Sequence, residues 1–235
     1  FTTTGHIILL VLMQLGGMSI LSFATFFISF LSHSYTGLRY QYMVKDMLST
    51  NRVADSFSFL REIIVMTFMI EGVGAVMLYM YWRTTGLFAD DSETIFYSIF
   101  HAISAFNNAG FSLWQTGLMD QAIVSSYFPQ MIIMILVFAG SIGYVVLRDF
   151  FDPRVIAERK KKRWMKLADG THIALLTSFA IIIVGTILFY SLEYNNTLAK
   201  SSGFEKFFSA LFQITAGRTA GFNIVDIDAI TVPSL

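Results

Sequence analysis

Two short stretches carry residue types suited to holding a dehydrated cation: Asn107-Asn108-Ala109-Gly110-Phe111 and Arg218-Thr219-Ala220-Gly221-Phe222-Asn223. Each turns on an Ala-Gly-Phe, and the two glycines lie 111 residues apart. Glycine tolerates backbone angles denied to other residues and adds no bulk. A Gly-tipped loop can therefore turn carbonyl oxygens inward, where they replace the hydration shell of an ion. This chemistry needs neither a charged ring nor a bound cofactor. A purely structural re-entrant loop, or an interfacial helix pair, would use the same residues without conducting.

The elements that must position these loops follow from the apolar pattern. Residues 6–31, 63–82, 127–147 and 172–192 are apolar runs long enough to span a bilayer. The pieces just before the two loops, 94–105 and 204–216, are apolar but too short. At 1.5 Å per residue the first is roughly 18 Å long, about half the membrane. Such a piece must dip in and return, which is tolerated only where protein or a water-filled pathway surrounds the non-helical backbone.

Twelve of the 16 Lys and Arg residues fall in 32–62 and 148–169, the latter carrying Arg159-Lys160-Lys161-Lys162-Arg163. The positive-inside rule makes both stretches cytoplasmic and the two short pieces external. A half-helix entering from outside points its C-terminus at the membrane centre. That end carries the negative half of the helix dipole, which favours a cation.

Composition supports membrane residence. Apolar residues make up 55% of the 235 residues, charged residues 14%, and the net charge is zero. Soluble domains carry about 25% charged residues. The composition argues against a soluble enzyme or a disordered chain, and a neutral chain is a poor nucleic-acid binder. Without Cys there is no disulfide, thiolate metal site or Cys nucleophile.

The 111-residue offset extends beyond the loops. Val73-Gly74-Ala75-Val76-Met77-Leu78-Tyr79 aligns with Val184-Gly185-Thr186-Ile187-Leu188-Phe189-Tyr190, and Phe96-Tyr97-Ser98 with Phe207-Phe208-Ser209. The repeated unit reads span, half-length helix, Gly loop, span. Gln14-Leu15-Gly16-Gly17 and Gly140-Ser141-Ile142-Gly143 put small residues within the first and third spans, where another backbone can approach closely.

Gln14-Leu15-Gly16-Gly17, Ser104-Ala105-Phe106-Asn107-Asn108-Ala109-Gly110-Phe111 and Arg218-Thr219-Ala220-Gly221-Phe222-Asn223, with Ile70-Glu71-Gly72-Val73-Gly74, resemble the Trk/Ktr/HKT superfamily of K⁺ transporters, most closely the bacterial Ktr and Trk membrane subunits. The resemblance covers nearly the whole chain. It implies an all-α membrane protein whose helix–pore loop–helix repeats form a pseudo-fourfold, K⁺-channel-like pore. Residues 1–62 would hold the last helix of the first repeat and a linker, 63–169 the second repeat, and 170–235 the first part of the third.

Gly110 and Gly221 would be the second and third filter glycines, with K⁺ held by carbonyls of Asn107, Asn108, Ala109, Gly110, Thr219, Ala220 and Gly221. Arg218 would buttress its loop from behind, with Phe111, Phe222 and Asn223 as further filter support. The other loops would lie before Phe1 and beyond Leu235. Four repeats need roughly 440 residues, so the chain reads as about half of a pore. The resemblance further implies no resident cofactor, Na⁺ or H⁺ as candidate coupling ions, a homodimer in the bacterial inner membrane, and cytosolic nucleotide-binding RCK-type subunits, which 148–166 is on the side to meet. A Na⁺-permeable member of the superfamily, or an unrelated secondary transporter with re-entrant hairpins, remains the alternative.

Other residues with chemical potential are few. His6, His33, His101 and His172 lack metal-ligand spacing. His101 is placed to bond a neighbour. Glu71, an acid within a span, reads either as an ion- or proton-coupling group or as a hydrogen-bonded structural acid. Asp226 and Asp228 read as a cation-concentrating mouth or as ordinary caps. Trp82 and Trp114 suit interfacial belts. An intramembrane enzyme would need a nucleophile–base or metal constellation, and none is apparent.

Overall fold

The structure is a computed structural model that describes residues 2–17, 53–124, 126–151, 156, 167–199 and 201–234. Residues 18–52, which hold the second half of the predicted 6–31 span and most of the predicted polar stretch 32–62, and the basic run Arg159–Arg163 lie outside the described residues. The described residues are helical, without strands: α1 (Thr3–Gly17), α2 (Val53–Thr85), α3 (Asp91–Phe106), α4 (Tyr127–Ser141), α5 (Tyr144–Phe151), α6 (Asp169–Glu193) and α7 (Gly203–Gly217), joined by short helical turns. This is the architecture of an all-α membrane protein. Among the described residues, Arg61–Thr85 of α2 and all of α6 are long and apolar enough to cross a membrane.

α2 starts well upstream of the predicted span, because nothing from Val53 to Glu62 breaks a helix. α6 covers the predicted 172–192 almost end to end. Both keep large apolar side chains outside, such as Phe68, Met69 and Met80 on α2 and Ile173, Leu176 and Ile187 on α6. Side chains of this type belong against lipid, which asks no polar face of a helix.

The third predicted span is corrected. Residues 127–147 do not form one helix. α4 ends at Ser141, and α5 leaves it at 108°. At 15 residues α4 is about 22 Å long, short of the ~30 Å hydrocarbon core. The bend sits at Gly143, whose φ of +85° breaks the helical path. α5 then packs along α6, and Arg148 pairs with Glu62 of α2 at 3.1 Å.

α3 and α7 are the half-length helices. Asp90 caps α3 by accepting from the Ser92 N–H at 3.2 Å and from the Ser92 hydroxyl. The Ser92 hydroxyl, then its main-chain N–H, hold the Asp90 carboxyl below the usual carboxylate range. The cap is thus negative at the positive helix end, the favourable sense. α7 starts with a reciprocal box in which the Ser202 N–H donates to Glu205 at 3.1 Å.

Around α3, α2 and α4 close a triangle, while α7 packs between α6 and α4. Gly74 and Gly185, partners in the repeat, each make room for a neighbouring helix, though not the corresponding one: a Cβ at Gly74 would lie 2.7 Å from Leu136 of α4, and one at Gly185 2.9 Å from Ile214 of α7. The C-terminal halves of both half-helices are buried, with Ala102, Ala105, Phe212 and Ala216 in one continuous core.

Trp82, near the end of the α2 span, faces protein. It is buried, with edge contacts to Phe88, His101 and Trp114. At the end of α6 a polar knot forms around Glu193, which is fully buried. It accepts from the Thr231 N–H (2.9 Å) and hydroxyl (2.6 Å), the Ser234 hydroxyl (2.7 Å), Asn196 Nδ2 (2.8 Å) and the Thr197 hydroxyl (2.9 Å). The knot straps the segment after the second loop onto the end of α6.

Candidate ion-coordinating loops

α3 unwinds at Asn107, whose N–H still bonds Ile103 O at 3.0 Å. The next two N–H groups turn back, Asn108 to Ala105 O (3.2 Å) and Ala109 to Ser104 O (2.9 Å). α7 unwinds likewise: the N–H groups of Ala220 and Gly221 both reach Ala216 O at 2.8 Å. Gly110 and Gly221, partners in the repeat, have φ of +71° and +77°. This left-handed region costs an L-residue about 1–2 kcal/mol, which is why glycine occupies both places.

The two loops touch. A Cβ on Gly110 would stand 2.1 Å from Ala220 O. Thr219 Oγ1 donates to Asn108 Oδ1 at 2.9 Å, across 111 residues of sequence. Equivalent residues of the two repeats are thus bonded directly to each other. No hydrogen-bond donor among the described residues reaches the carbonyl oxygens of Asn107, Asn108, Ala109, Gly110, Thr219, Ala220 or Gly221. Residues 107–110 are half-buried, Thr219 and Gly221 exposed and Ala220 buried, so most of these residues have surface open to water or an ion. Their carbonyls follow two helix C-termini, where partial negative charge gathers.

Each loop is held from behind. Ser104 Oγ donates to Phe111 O at 2.7 Å. His101 is fully buried; its Nδ1 stands 2.8 Å from Tyr97 O and must donate there. Its Nε2 is then the acceptor, facing the Ser112 hydroxyl at 3.1 Å. Arg218 turns away from the touching carbonyls and donates to Ser141 Oγ on α4 at 2.8 Å. Gly140 lets the first loop sit on α4, since a Cβ there would be 1.8 Å from Phe106 O. Asn107 points backward to Glu71 of α2 at 2.9 Å.

The aromatic residues of the two loops differ. Phe222 is buried in the main core with Ile224, whereas Phe111 is 44% exposed. Asn223 is half-buried. Asp226 acts as a cap, accepting from the Asp228 N–H at 3.1 Å, and Asp228 is exposed. No group of acidic, His or Cys side chains among the described residues is arranged to hold a metal ion. The Ser141 acceptor for Arg218 and the His101–Ser112 clasp were absent from the sequence-based expectations. Nothing in residue spacing announces a partner on another helix.

Fold and loops together define an all-helical membrane protein with two adjoining Gly-tipped turns at the ends of half-length helices. Residues 2–232 match a family model described as cation transport protein, TrkH. The chain belongs to that family. It is 30% identical over 246 residues to the Ktr system potassium uptake protein B of Vibrio alginolyticus, covering 100% of this chain and 50% of the relative. It is 30% identical over 237 residues to the protein of the same description from Bacillus subtilis, covering 98% and 49%. A potassium/sodium uptake protein of Enterococcus hirae is 26% identical over 228 residues, covering 96% and 47%. The chain thus spans about half the length of the curated relatives it matches.

Proposed function

We propose that this chain is part of the pore-forming subunit of a K⁺ uptake system, in which the carbonyls of Asn107, Asn108, Ala109, Gly110, Thr219, Ala220 and Gly221 supply half of a selectivity filter. One observation carries the reading: two touching loops, partners in a repeat, present carbonyls that no described donor satisfies. A permeating cation is the partner such oxygens are built for. Arg218 serves by holding its loop to α4, and Phe111, Phe222 and Asn223 support the loop backs. The chain divides at 62/63 and 169/170 into parts of three repeats of a pseudo-fourfold ring.

The whole protein works as a homodimer in the bacterial plasma membrane, with nucleotide-binding RCK-type subunits on its cytosolic face. The names of the Vibrio and Bacillus relatives favour K⁺ as cargo. The name of the Enterococcus relative includes sodium, so Na⁺ belongs in the assay. The test is uptake of Rb⁺ and Na⁺ by the complete protein in proteoliposomes. Gly110→Ser and Gly221→Ser are each expected to weaken the preference for K⁺ and Rb⁺ over Na⁺. Unchanged preference in both would sink the filter reading.

A further inference from the structure

Glu71 is buried in the middle of α2. Its Oε1 accepts from Asn107 Nδ2 at 2.9 Å, and its Oε2 from Gln14 Nε2 of α1 at 2.9 Å. The same Asn107 amide donates to Ile103 O at 2.9 Å. Ile103 O only accepts, which fixes the Asn107 amide with its nitrogen toward Glu71, while the Gln14 nitrogen meets the other carboxyl oxygen. Asn107 Oδ1 has no donor among the described residues and lies against Gly17. A Cβ on Gly17 would stand 1.6 Å from it. Three helices therefore converge on one side chain, and a glycine is kept clear for it.

Asn107 is the last anchored residue before the loop. Asn108, which follows, has φ of +52° and bonds Thr219 of the second loop. A shift of Asn107 thus reaches the contact between loops through one peptide unit. The repeat partners of Glu71 and Asn107 are Ile182 and Arg218. Among the described residues the second loop has no acid–amide clasp; it is tied instead by Arg218 to Ser141.

We infer that Glu71 is a positioning residue for the first loop: clasped by Gln14, its carboxylate holds Asn107 and so sets where the carbonyls of residues 107–110 stand. This rests on the reading of those carbonyls as a filter. Glu71 acts through hydrogen-bond geometry and not by binding the permeating ion. A glutamine would serve in its place, offering its oxygen to Asn107 while the Gln14 amide reverses to accept from its nitrogen.

The test is the Rb⁺-to-Na⁺ uptake ratio of the complete protein in proteoliposomes, read together with its dependence on external pH. Glu71→Ala is expected to lower the ratio about tenfold, the scale of one lost charge-assisted hydrogen bond. Glu71→Gln is expected to stay within about threefold of the parent, on the scale of one neutral hydrogen bond, with an unchanged pH profile. Asn107→Asp sets carboxylate against carboxylate and is expected to lose the ratio. Adding Glu71→Gln to it restores an acid–amide pair and is expected to recover the ratio, which holds the test open even if Glu71→Ala fails to reach the membrane. A wild-type ratio in Glu71→Ala overturns the inference. So does a Glu71→Gln protein as impaired as Glu71→Ala, or a double variant with no recovery. If Gly110→Ser and Gly221→Ser alter the ratio while the Glu71 variants do not, only the role of Glu71 falls; if the glycine variants are also silent, the filter reading itself falls.

Discussion

Replacing Gly110 with alanine tests the contact between the two loops. The added Cβ would lie 2.1 Å from Ala220 O, a main-chain atom that no side-chain rotation can move. Restoring an ordinary C···O separation of about 3.3 Å requires the loops to part by about 1 Å. The φ of +71° adds about 1–2 kcal/mol of backbone strain. Strain alone is controlled by Gly117→Ala, because Gly117 has a similar φ of +65° and nothing within 4 Å of a Cβ. Carbonyls displaced by an ångström should discriminate poorly between ions of different size. We expect Gly110→Ala to reduce the K⁺-over-Na⁺ preference at least tenfold, about 1.4 kcal/mol. Gly117→Ala should lower thermal stability and leave the preference intact. The assay is competitive Rb⁺ and Na⁺ flux in proteoliposomes, with circular dichroism to confirm folding. A Gly110→Ala protein with parental preference, or an equal loss in Gly117→Ala, would refute the reasoning.

Three further outcomes follow from the same geometry. Thr219→Val and Asn108→Ala should each weaken ion preference, and the double variant should be little worse than either, because both remove one bond of about 1 kcal/mol; full additivity in the flux assay would deny that the bond couples the loops. Gly221→Ala tests closure of the ring: beyond its chain neighbours, nothing among the described residues stands within 4 Å of its Cβ. A loss as large as that of Gly110→Ala is expected if a further loop seats against it in the complete protein, whereas a mild effect would contradict the fourfold arrangement. Glu193→Ala should destabilise the protein by roughly 1–2 kcal/mol, since it removes the one acceptor that gathers several partly buried hydroxyl and amide donors, and an unchanged melting temperature in detergent would show that the knot carries no weight.

Much of this architecture is legible in the sequence because lipid makes apolar length a direct readout of span. The extents of α6, α3 and α7 follow from apolar runs ended by polar residues and glycine. The 111-residue period brings together Gly110 and Gly221, whose shared left-handed φ then has a local cause. The break at Gly143 was not legible, because one glycine in an apolar run is compatible with either a straight or a bent helix. The choice falls to packing, here α5 against α6 and the pairing of Arg148 with Glu62.

Connections between helices were hidden for the same reason. Glu71 and Asn107 are 36 residues apart, and Gln14 and Glu71 are 57 apart. Spacing assigns each to a helix but not to one another. Trp82 reads as an interfacial residue by type; its burial depends on His101 and Trp114, which only the folded chain brings to it. Glu71 carried two readings in the sequence. Its two amide donors now favour the hydrogen-bonded acid.

The central claim is that main-chain carbonyls of the two loops hold the permeating ion. Anomalous diffraction from crystals of the complete protein soaked in Rb⁺ tests it most directly. The account expects Rb⁺ peaks in contact with the carbonyl oxygens at Ala109, Gly110, Ala220 and Gly221. Rb⁺ density beside the Glu71 carboxylate, with none along the loops, would contradict it.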